Sequence, residues 1–572
     1  MKFARRTLIA TGAGLLGLAG LRRSRLFAQT GQAPLSVPVN PTAPVLPVGM
    51  NLAGIADWDP GFPFRNLMWG ARPWQTCALD GSGGFNSGKV DDFSFDENGY
   101  PLEVPLTTDS HAQPQIIYTI LPNHRARGTY VLLHDGEGEF AGFGGSSVKS
   151  ASPGRVLLSM KHDGQLIEQL CITRSKRGNH IRNIRILSLQ DEHHDLIRDP
   201  FLPEILEFCR PFHCLRFMDW GSVNNNIEEN WSDRKNASFY TMVAVSGDPE
   251  GLWGKPPTPF QRRFAGGVAF ELMIQLANMT GIDPWICIPH RATDGYIGEL
   301  AKLVHTTLDP KLTVYVEYSN ELWNWGFKQA GWMIQSQLAG TLVEAKGGTA
   351  WKDASKTQGV GHPERIGALF RRAFGIWEKV WQGADRKRLV RVCTVQAAWF
   401  DASRRTLQWC LDNGGADAIS PSAYIGPDDK VYEKWALAGA ALTPHEVIDD
   451  LRGLLANQRA KSGTNDIVAY ANRAGVPYVA YEAGQHIQPK GQAELPYNAA
   501  LAGAQSDPAM YDLYIDLLRY HRDLGCRMFG HFSSIGQQGT RYGSWGAKGS
   551  YTEPDAASPK MRALIASNTP RS

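Results

Sequence analysis

From about residue 201 the chain keeps returning to one unit: a short apolar, β-branched run followed by a stretch with helical spacing. The runs are Cys214–Asp219, Trp285–Pro289, Thr313–Ser319, Leu389–Gln396, Ala418–Tyr424, Pro477–Tyr481 and Met528–Ser533. Between them, Phe264–Met279 and Tyr296–Thr307 read as helices, and Ile366, Leu369, Phe370, Phe374, Trp377 and Trp381 form an apolar stripe at helical spacing. Later helices start at Pro444 and Pro508, each shortly after a Thr or Ser that suits an N-cap. Val48–Leu52 supplies an earlier strand and brings the count to eight. Eight strands joined by helical crossovers predict an α/β fold, the (β/α)8 TIM barrel.

One segment breaks the rhythm. Between 93 and 189, alternating runs (Gln115–Ile120, Thr129–Leu133, Arg155–Met160, Leu166–Thr173, Ile181–Leu187) are separated by Gly, Asp, Asn and Pro clusters. Period-two alternation with frequent turns predicts an antiparallel β-sandwich rather than further βα units. The expected organisation is therefore a barrel start over 48–92, a sandwich insertion over 93–189, and the rest of the barrel over 190–560. A Pro-rich linker over 29–47 precedes it.

The first 28 residues read as a targeting segment. Arg5-Arg6 leads a mildly apolar, Gly- and Ala-rich run from Ala10 to Leu21, and Arg22, Arg23 and Arg25 close it. The pattern resembles a twin-arginine export signal, with Ala4 where Ser or Thr is common and Leu26 making the cleavage site imperfect. The run is short for a bilayer span. The resemblance implies passage through the twin-arginine export machinery and a periplasmic or secreted location, with no stable membrane insertion once the signal is removed.

A net charge of +3 with interspersed signs gives no patch for nucleic acid. The eight cysteines show no metal-ligand spacing. Cys209 and Cys214 are close enough in sequence to bridge in an oxidising compartment, and the sequence leaves that open. The chain has 17 Trp, many beside turn or polar residues. Such rings serve as sugar-stacking platforms, though large enzymes also bury them in their cores.

Two of the strand-like runs lead into a glutamate: Thr313 to Ser319 into Asn320-Glu321, and Val476 to Tyr481 into Glu482. In a (β/α)8 protein the active site is built at the C-terminal ends of the strands. Two carboxyls there can divide into a proton donor for a leaving oxygen and a second group for an anomeric carbon. Either could instead cap a helix or pair with a structural arginine. Glu317 lies on the same strand as Glu321, four residues earlier, and is expected deeper in the barrel, paired or turned to the helices.

Asn320-Glu321 ending the fourth strand, Glu482 ending the seventh, and Gly49-Met50-Asn51-Leu52 in the first resemble clan A of the glycoside hydrolases, in its cellulase-like members. Tyr315 to Asn324 and Tyr481 to His486 resemble segments of secreted carbohydrate-active proteins of that clan. The resemblance covers about 48–56 and 205–550. It implies hydrolysis with retention, Glu321 as acid/base and Glu482 as nucleophile, with no metal or organic cofactor. The two carboxyls would then lie ~5–5.5 Å apart.

Around that pair the strand ends offer Arg216, a fixed cation for Glu482 or else a purely structural partner. Tyr424 is placed to hydrogen-bond the nucleophile, and Asn320 to bind a sugar hydroxyl. Asp219, Trp220, His290, Gln396, Trp399 and His486 are further mouth candidates, and Trp323, Trp325 and Trp545 are the expected stacking platforms. His290 has no second ligand at metal spacing. The predicted function is an exported retaining glycosidase acting on a poly- or oligosaccharide. The alternatives are a non-catalytic carbohydrate-binding barrel, in which the glutamates would be out of reach of each other, and a transglycosylase with the same residues.

Overall fold

A computed structural model describes residues 45–568 except 82–84, 108–112, 124, 126, 163–165, 245–261, 263, 347–361 and 461–463. The targeting segment and most of the Pro-rich stretch lie outside the described residues.

Strand β1 (Val48–Asn51) opens the barrel. Eight strands follow before the barrel resumes: β2 (Gln75–Ala78), β3 (Gln115–Ile120), β4 (Gly128–Asp135), β5 (Gly138–Gly144), β6 (Ser146–Ser152), β7 (Arg155–Met160), β8 (Glu168–Ser175) and β9 (Arg182–Ser188). The barrel is completed by β10 (Cys214–Arg216), β11 (Asp283–Ile288), β12 (Val314–Tyr318), β13 (Leu389–Val395), β14 (Ala418–Pro421), β15 (Ala423–Ile425), β16 (Tyr478–Gln485) and β17 (Cys526–His531).

The barrel ladder is parallel throughout, in the order β14-β13-β12-β11-β10-β1-β17-β16-β15. Ile419 of β14 pairs with Tyr478 of β16, which closes the ring. β14 and β15 are two halves of one staggered strand around Ser422, so the barrel has eight positions. Its strands are buried on both faces, as a sheet covered by helices requires, and that is why they read as near-continuous apolar runs. β16 runs to Gln485, beyond the expected end at Tyr481, because Ala483–Gln485 continue the ladder with Ala423–Ile425. Glu482 therefore sits inside a strand, with its backbone fixed on both sides, while Glu321 stands on the turn after β12.

The residues between β1 and β10 form two four-stranded antiparallel sheets, β2-β3-β8-β5 and β6-β7-β4-β9. They start at Gln75, earlier than the expected 93, because β2 pairs with β3. β2, β5 and β6 are poor in β-branched residues and were not expected, and all three are edge strands. An edge has one neighbour and a wet side, so it tolerates the Gly and Ser of Gly138–Gly144 and Ser146–Ser152. Buried side chains from both sheets, such as Ile117, Leu132, Leu158 and Ile186, join one apolar cluster with the barrel core.

The helices fall close to expectation: Phe270–Thr280, Asp294–Thr307, His362–Val380, Pro444–Ala460 and Ala509–Asp523. The Ile366-to-Trp381 stripe faces inward, with Trp377 and Trp381 stacked 6.3 Å apart. All eight cysteines are free thiols, Cys209 and Cys214 included. Among the described residues no helix is long and apolar enough to cross a membrane.

Candidate active site

At the C-terminal end of the strands, one arginine organises the polar groups. Arg216, the last residue of β10, is 2% exposed. A guanidinium has five N–H donors in a fixed fork, and all five are used. Nε and Nη2 grip the two oxygens of Glu317 at 2.9 and 3.1 Å. Nη1 donates to Asn51 Oδ1 at 2.9 Å and to Glu482 Oε1 at 2.8 Å. Nη2 also donates to Asn320 Oδ1 at 2.9 Å. The guanidinium lies between the Tyr481 and Trp285 rings, 5.1 and 5.7 Å from their centroids. The acceptors come from β1, β12, the turn after β12, and β16, so one side chain ties four parts of the barrel mouth together.

Each partner is itself held. Asn51 Nδ2 donates to the Tyr481 and His531 carbonyls at 2.8 and 3.1 Å, locking β1 to β16 and β17. Gly530 permits that approach, since a Cβ there would lie 2.5 Å from the Ala480 carbonyl oxygen. Glu317 is fully buried and also accepts from Trp285 Nε1 at 2.8 Å. The residue expected deep in the barrel and paired is thus the bidentate anchor of Arg216.

Glu482 is buried, with Oε1 on Arg216 and Oε2 accepting from the Tyr424 hydroxyl at 3.0 Å. Burial raises its pKa to about 8; Arg216 pulls it down, while Glu321 and Asp219 push it up. Arg216, Glu321 and Asp219 are thus all within electrostatic reach of Glu482. Glu321 is half-buried, and its φ of +41°, with +64° at Ser319, makes a left-handed turn of non-glycine residues. Each such residue costs about 1–3 kcal/mol and persists only where neighbours over-determine it. Here Ser319 N–H donates to the Ile288 carbonyl at 2.7 Å, and Gln329 Nε2 to the Asn320 carbonyl at 2.9 Å. The Glu321 carboxyl takes the Tyr481 hydroxyl on Oε1 at 2.5 Å and Asn324 Nδ2 on Oε2 at 2.7 Å. The β16 register shifts against β17 between Ala480 and Ala483, an irregularity that lets adjacent Tyr481 and Glu482 both reach polar partners in the mouth.

Of the other predicted residues, His486 and Trp545 join this centre. The His486 ring lies 5.2 Å from Tyr424 and 5.5 Å from Trp545. Burial lowers the His486 pKa, so the ring is held neutral. Asp219 lines a cavity with Trp545 and Phe532. Asn320 stands beside Arg216 and donates through Nδ2 to Asn224 Oδ1 at 3.0 Å. Trp323 is buried edge-on against Tyr481, 6.3 Å away, which supports the tyrosine rather than offering a face. Trp325 is 48% exposed and, with Trp399, brackets the His362 ring at 5.8 and 5.0 Å.

Besides Trp323 as a platform, three expectations need correction. Trp220 is a core residue, packed against Phe64, Phe201 and Phe217, so no sugar can stack on it. His290 is buried, its pKa pushed down to about 3 by burial, and it opens onto a separate cavity with Trp332, Lys328 and Arg291. Gln396 is engaged locally, its Oε1 accepting from the Ala398 N–H and its carbonyl from the Ser403 hydroxyl on the following helix, Phe400–Asp412. Asn51, Glu317, Trp285, Tyr481 and Asn324 were not read as site residues. For Asn51 and Tyr481 a signal existed: each stands at the mouth end of a predicted strand.

Among the described residues no group of three or more His, Cys, Asp or Glu could hold a metal.

No protein-family model matches the chain, and no curated protein matches its sequence. Similar solved structures include β-glucosidase 2 from the fungus Trichoderma reesei, at 12% identity and a TM-score of 0.31, covering 63% of this chain and 85% of that one. An endo-β-1,4-mannanase from Thermotoga petrophila has 13% identity and a TM-score of 0.27, over 63% and 72% of the two chains. A hyperthermostable endo-1,4-β-D-mannanase from Thermotoga petrophila RKU-1 has 14% identity and a TM-score of 0.27, over 63% and 93%.

Proposed function

We propose that the chain is a retaining glycoside hydrolase acting on a poly- or oligosaccharide, with Glu482 as nucleophile and Glu321 as acid/base. The observation that carries this reading is the different support given to two interacting carboxyls at one barrel mouth. Glu482 receives a donor that keeps its charge at any working pH, Arg216, and a second from Tyr424. Those donors favour its anion, against the burial that raises its pKa. Glu321 rests on Tyr481, whose hydroxyl can donate to an ionised carboxyl or accept from a protonated one, and on Asn324. Such a partner suits a group that changes protonation state during turnover.

In the first step Glu321 protonates the glycosidic oxygen while Glu482 attacks the anomeric carbon and forms a glycosyl ester. In the second, Glu321 takes a proton from water, which displaces Glu482 with net retention. Among the described residues Asn320 keeps one amide N–H beyond the one spent on Asn224, and this is available to a sugar 2-hydroxyl. Trp545 forms an aromatic wall beside the nucleophile.

The test uses a panel of aryl β-glycosides. Glu321→Ala should retain turnover of substrates with good leaving groups, and added azide should accelerate it, giving a β-glycosyl azide. Glu482→Gln should be inactive on all of them. If the parent binds glycans and cleaves none across a broad panel, the chain is a binding protein. We also propose export to the periplasm or beyond, on the strength of Arg5-Arg6 and the apolar run after them. Fractionation of cells expressing the chain with Arg5→Lys and Arg6→Lys together should show retention in the cytoplasm.

A further inference from the structure

Beside Glu482 the mouth opens into a cavity of about 720 Å³, well within the range of small-ligand sites. Its charged lining is three carboxylates, Asp59, Asp219 and Glu494, against one guanidinium, Arg541. Arg541 is engaged with Tyr542 on the same cavity wall, donating to its hydroxyl at 2.7 Å and lying over its ring, and it acts through space on Glu494 rather than on Asp59 or Asp219. Neither Asp59 nor Asp219 has an ion pair among the described residues. The Asp219 carboxyl accepts no hydrogen bond among them, and Asp59 takes only the Gly61 N–H, at 2.6 Å. Burial pushes both carboxyls up to about 6, against the ordinary value of 3.8. Both carboxylates are half-buried and face the cavity without an ion pair, Arg216 acting on Asp219 only through space, so a cationic ligand would complete their charge balance.

A separate feature also points to an occupant. Ser533, only 6% exposed, lines the same cavity, and its hydroxyl has no hydrogen-bond partner among the described residues. Trp545 and Phe532 add aromatic wall, and Trp58 adds an exposed ring at the same cavity. The cavity adjoins the nucleophile: Asp219 acts electrostatically on Glu482, and the Phe532 ring lies 6.3 Å from Tyr424, which donates to Glu482.

We infer that this cavity binds a sugar bearing a free amino group, on the Glu482 side of the bond to be cleaved. The inference rests on the hydrolase reading for its direction along the chain and narrows the substrate class to glycans containing unacetylated 2-amino sugars. The ammonium sits between Asp59 and Asp219, restoring the charge balance that the protein leaves incomplete. The Ser533 hydroxyl meets a ring hydroxyl, and Trp545 takes a sugar face. A neutral sugar would leave both carboxylates facing hydroxyl groups alone, and an N-acetyl group would remove the charge and add bulk.

Isothermal titration of the full chain carrying Glu482→Gln, which cannot turn over, tests this at neutral pH and low salt. The probes are a fully deacetylated chitosan tetrasaccharide, its N-acetylated counterpart and cellotetraose. The amino oligomer should bind about tenfold more tightly than either neutral one, or more. Asp59→Asn and Asp219→Asn, each added to Glu482→Gln, should bring the three affinities to within about twofold, and raising the salt should shrink the preference in the unsubstituted cavity. Equal affinities, a preference unmoved by both salt and the Asn substitutions, or no binding of the amino oligomer would overturn the inference. Turnover of neutral aryl glycosides with no such preference would overturn it and leave the hydrolase reading intact. Amino-sugar binding by a parent that cleaves nothing would do the reverse.

Discussion

The barrel carries two buried arginine clusters, one at each end, and they are built to opposite purposes. At the bottom, Arg391 of β13 grips Asp417, just before β14, through Nε and Nη2 at 2.7 and 2.8 Å. Arg386 and the Arg391 backbone N–H add to the same carboxylate. Burial there pushes the Asp417 pKa up, but the Arg391 hydrogen bonds outweigh it, and the net shift is down. At the mouth, Arg216 spends its bidentate grip on Glu317 and gives Glu482 a single N–H, and the Glu482 pKa ends up well above the ordinary range. One cluster over-satisfies its carboxylate and the other under-satisfies it. In the proposed hydrolase, the carboxylate left with fewer donors is the one that takes part in the reaction.

The contrast breaks most visibly by substitution. Glu482→Gln should lower kcat by about 10⁴-fold or more, as loss of a nucleophile does, while Asp417→Asn should leave kcat/KM unchanged; both are read with the same aryl glycoside. Arg216→Lys keeps the charge but not the fork, so Asn51, Asn320 and Glu482 cannot all be held. A drop in kcat/KM of about 10²-fold or more is expected, with the barrel still folded by circular dichroism.

Stability should move the other way. Asp417→Asn should cost about 2 kcal/mol at neutral pH in denaturant unfolding, because Arg391 and Arg386 lose one of their two anions and keep only Glu378. With a folded pKa below 3.8, the Asp417 contribution is present above that value and lost as pH falls through the folded pKa. Glu482, raised from 4.5 to about 8, has the opposite sign: its contribution is present below pH 4.5 and lost as pH rises toward about 8. Melting curves should therefore show Glu482→Gln gaining on the parent across that window. A constant gap would contradict the raised pKa.

The smallest expected effect is the sharpest test of how Arg216 is shared. Glu317→Gln leaves the shape of the anchor but frees positive charge for Glu482, whose proton affinity should fall. The acid limb of kcat/KM should move to lower pH by about one unit. An unmoved limb would make Glu317 a packing residue only.

Much of this was legible in the sequence, and the reasons differ by region. Parallel strands such as β11 and β13 are buried on both faces, so their composition alone marks them. The edge strands β2, β5 and β6 have no such pressure and went unread. Glu321, Glu482, Arg216 and Tyr424 could be placed at the barrel mouth from the sequence because strand ends are predictable places. Trp220 was misplaced because its surroundings, Phe64 and Phe201, come from distant segments. The Tyr481–Glu321 contact joins residues 160 apart, and the Asn51–Tyr481 contact joins residues 430 apart. Local pattern carries no trace of either.

The division of labour between the carboxyls is tested most directly by trapping the intermediate. Glu321→Ala, mixed with the 2,4-dinitrophenyl glycoside it turns over fastest, should accumulate a glycosyl-enzyme, because the ester forms without acid assistance and its hydrolysis lacks a base. Quenching in acid, digestion and mass spectrometry should place one sugar, as an ester, on the peptide containing Glu482. A sugar on any other residue, or no adduct together with a product of inverted configuration, would contradict the account.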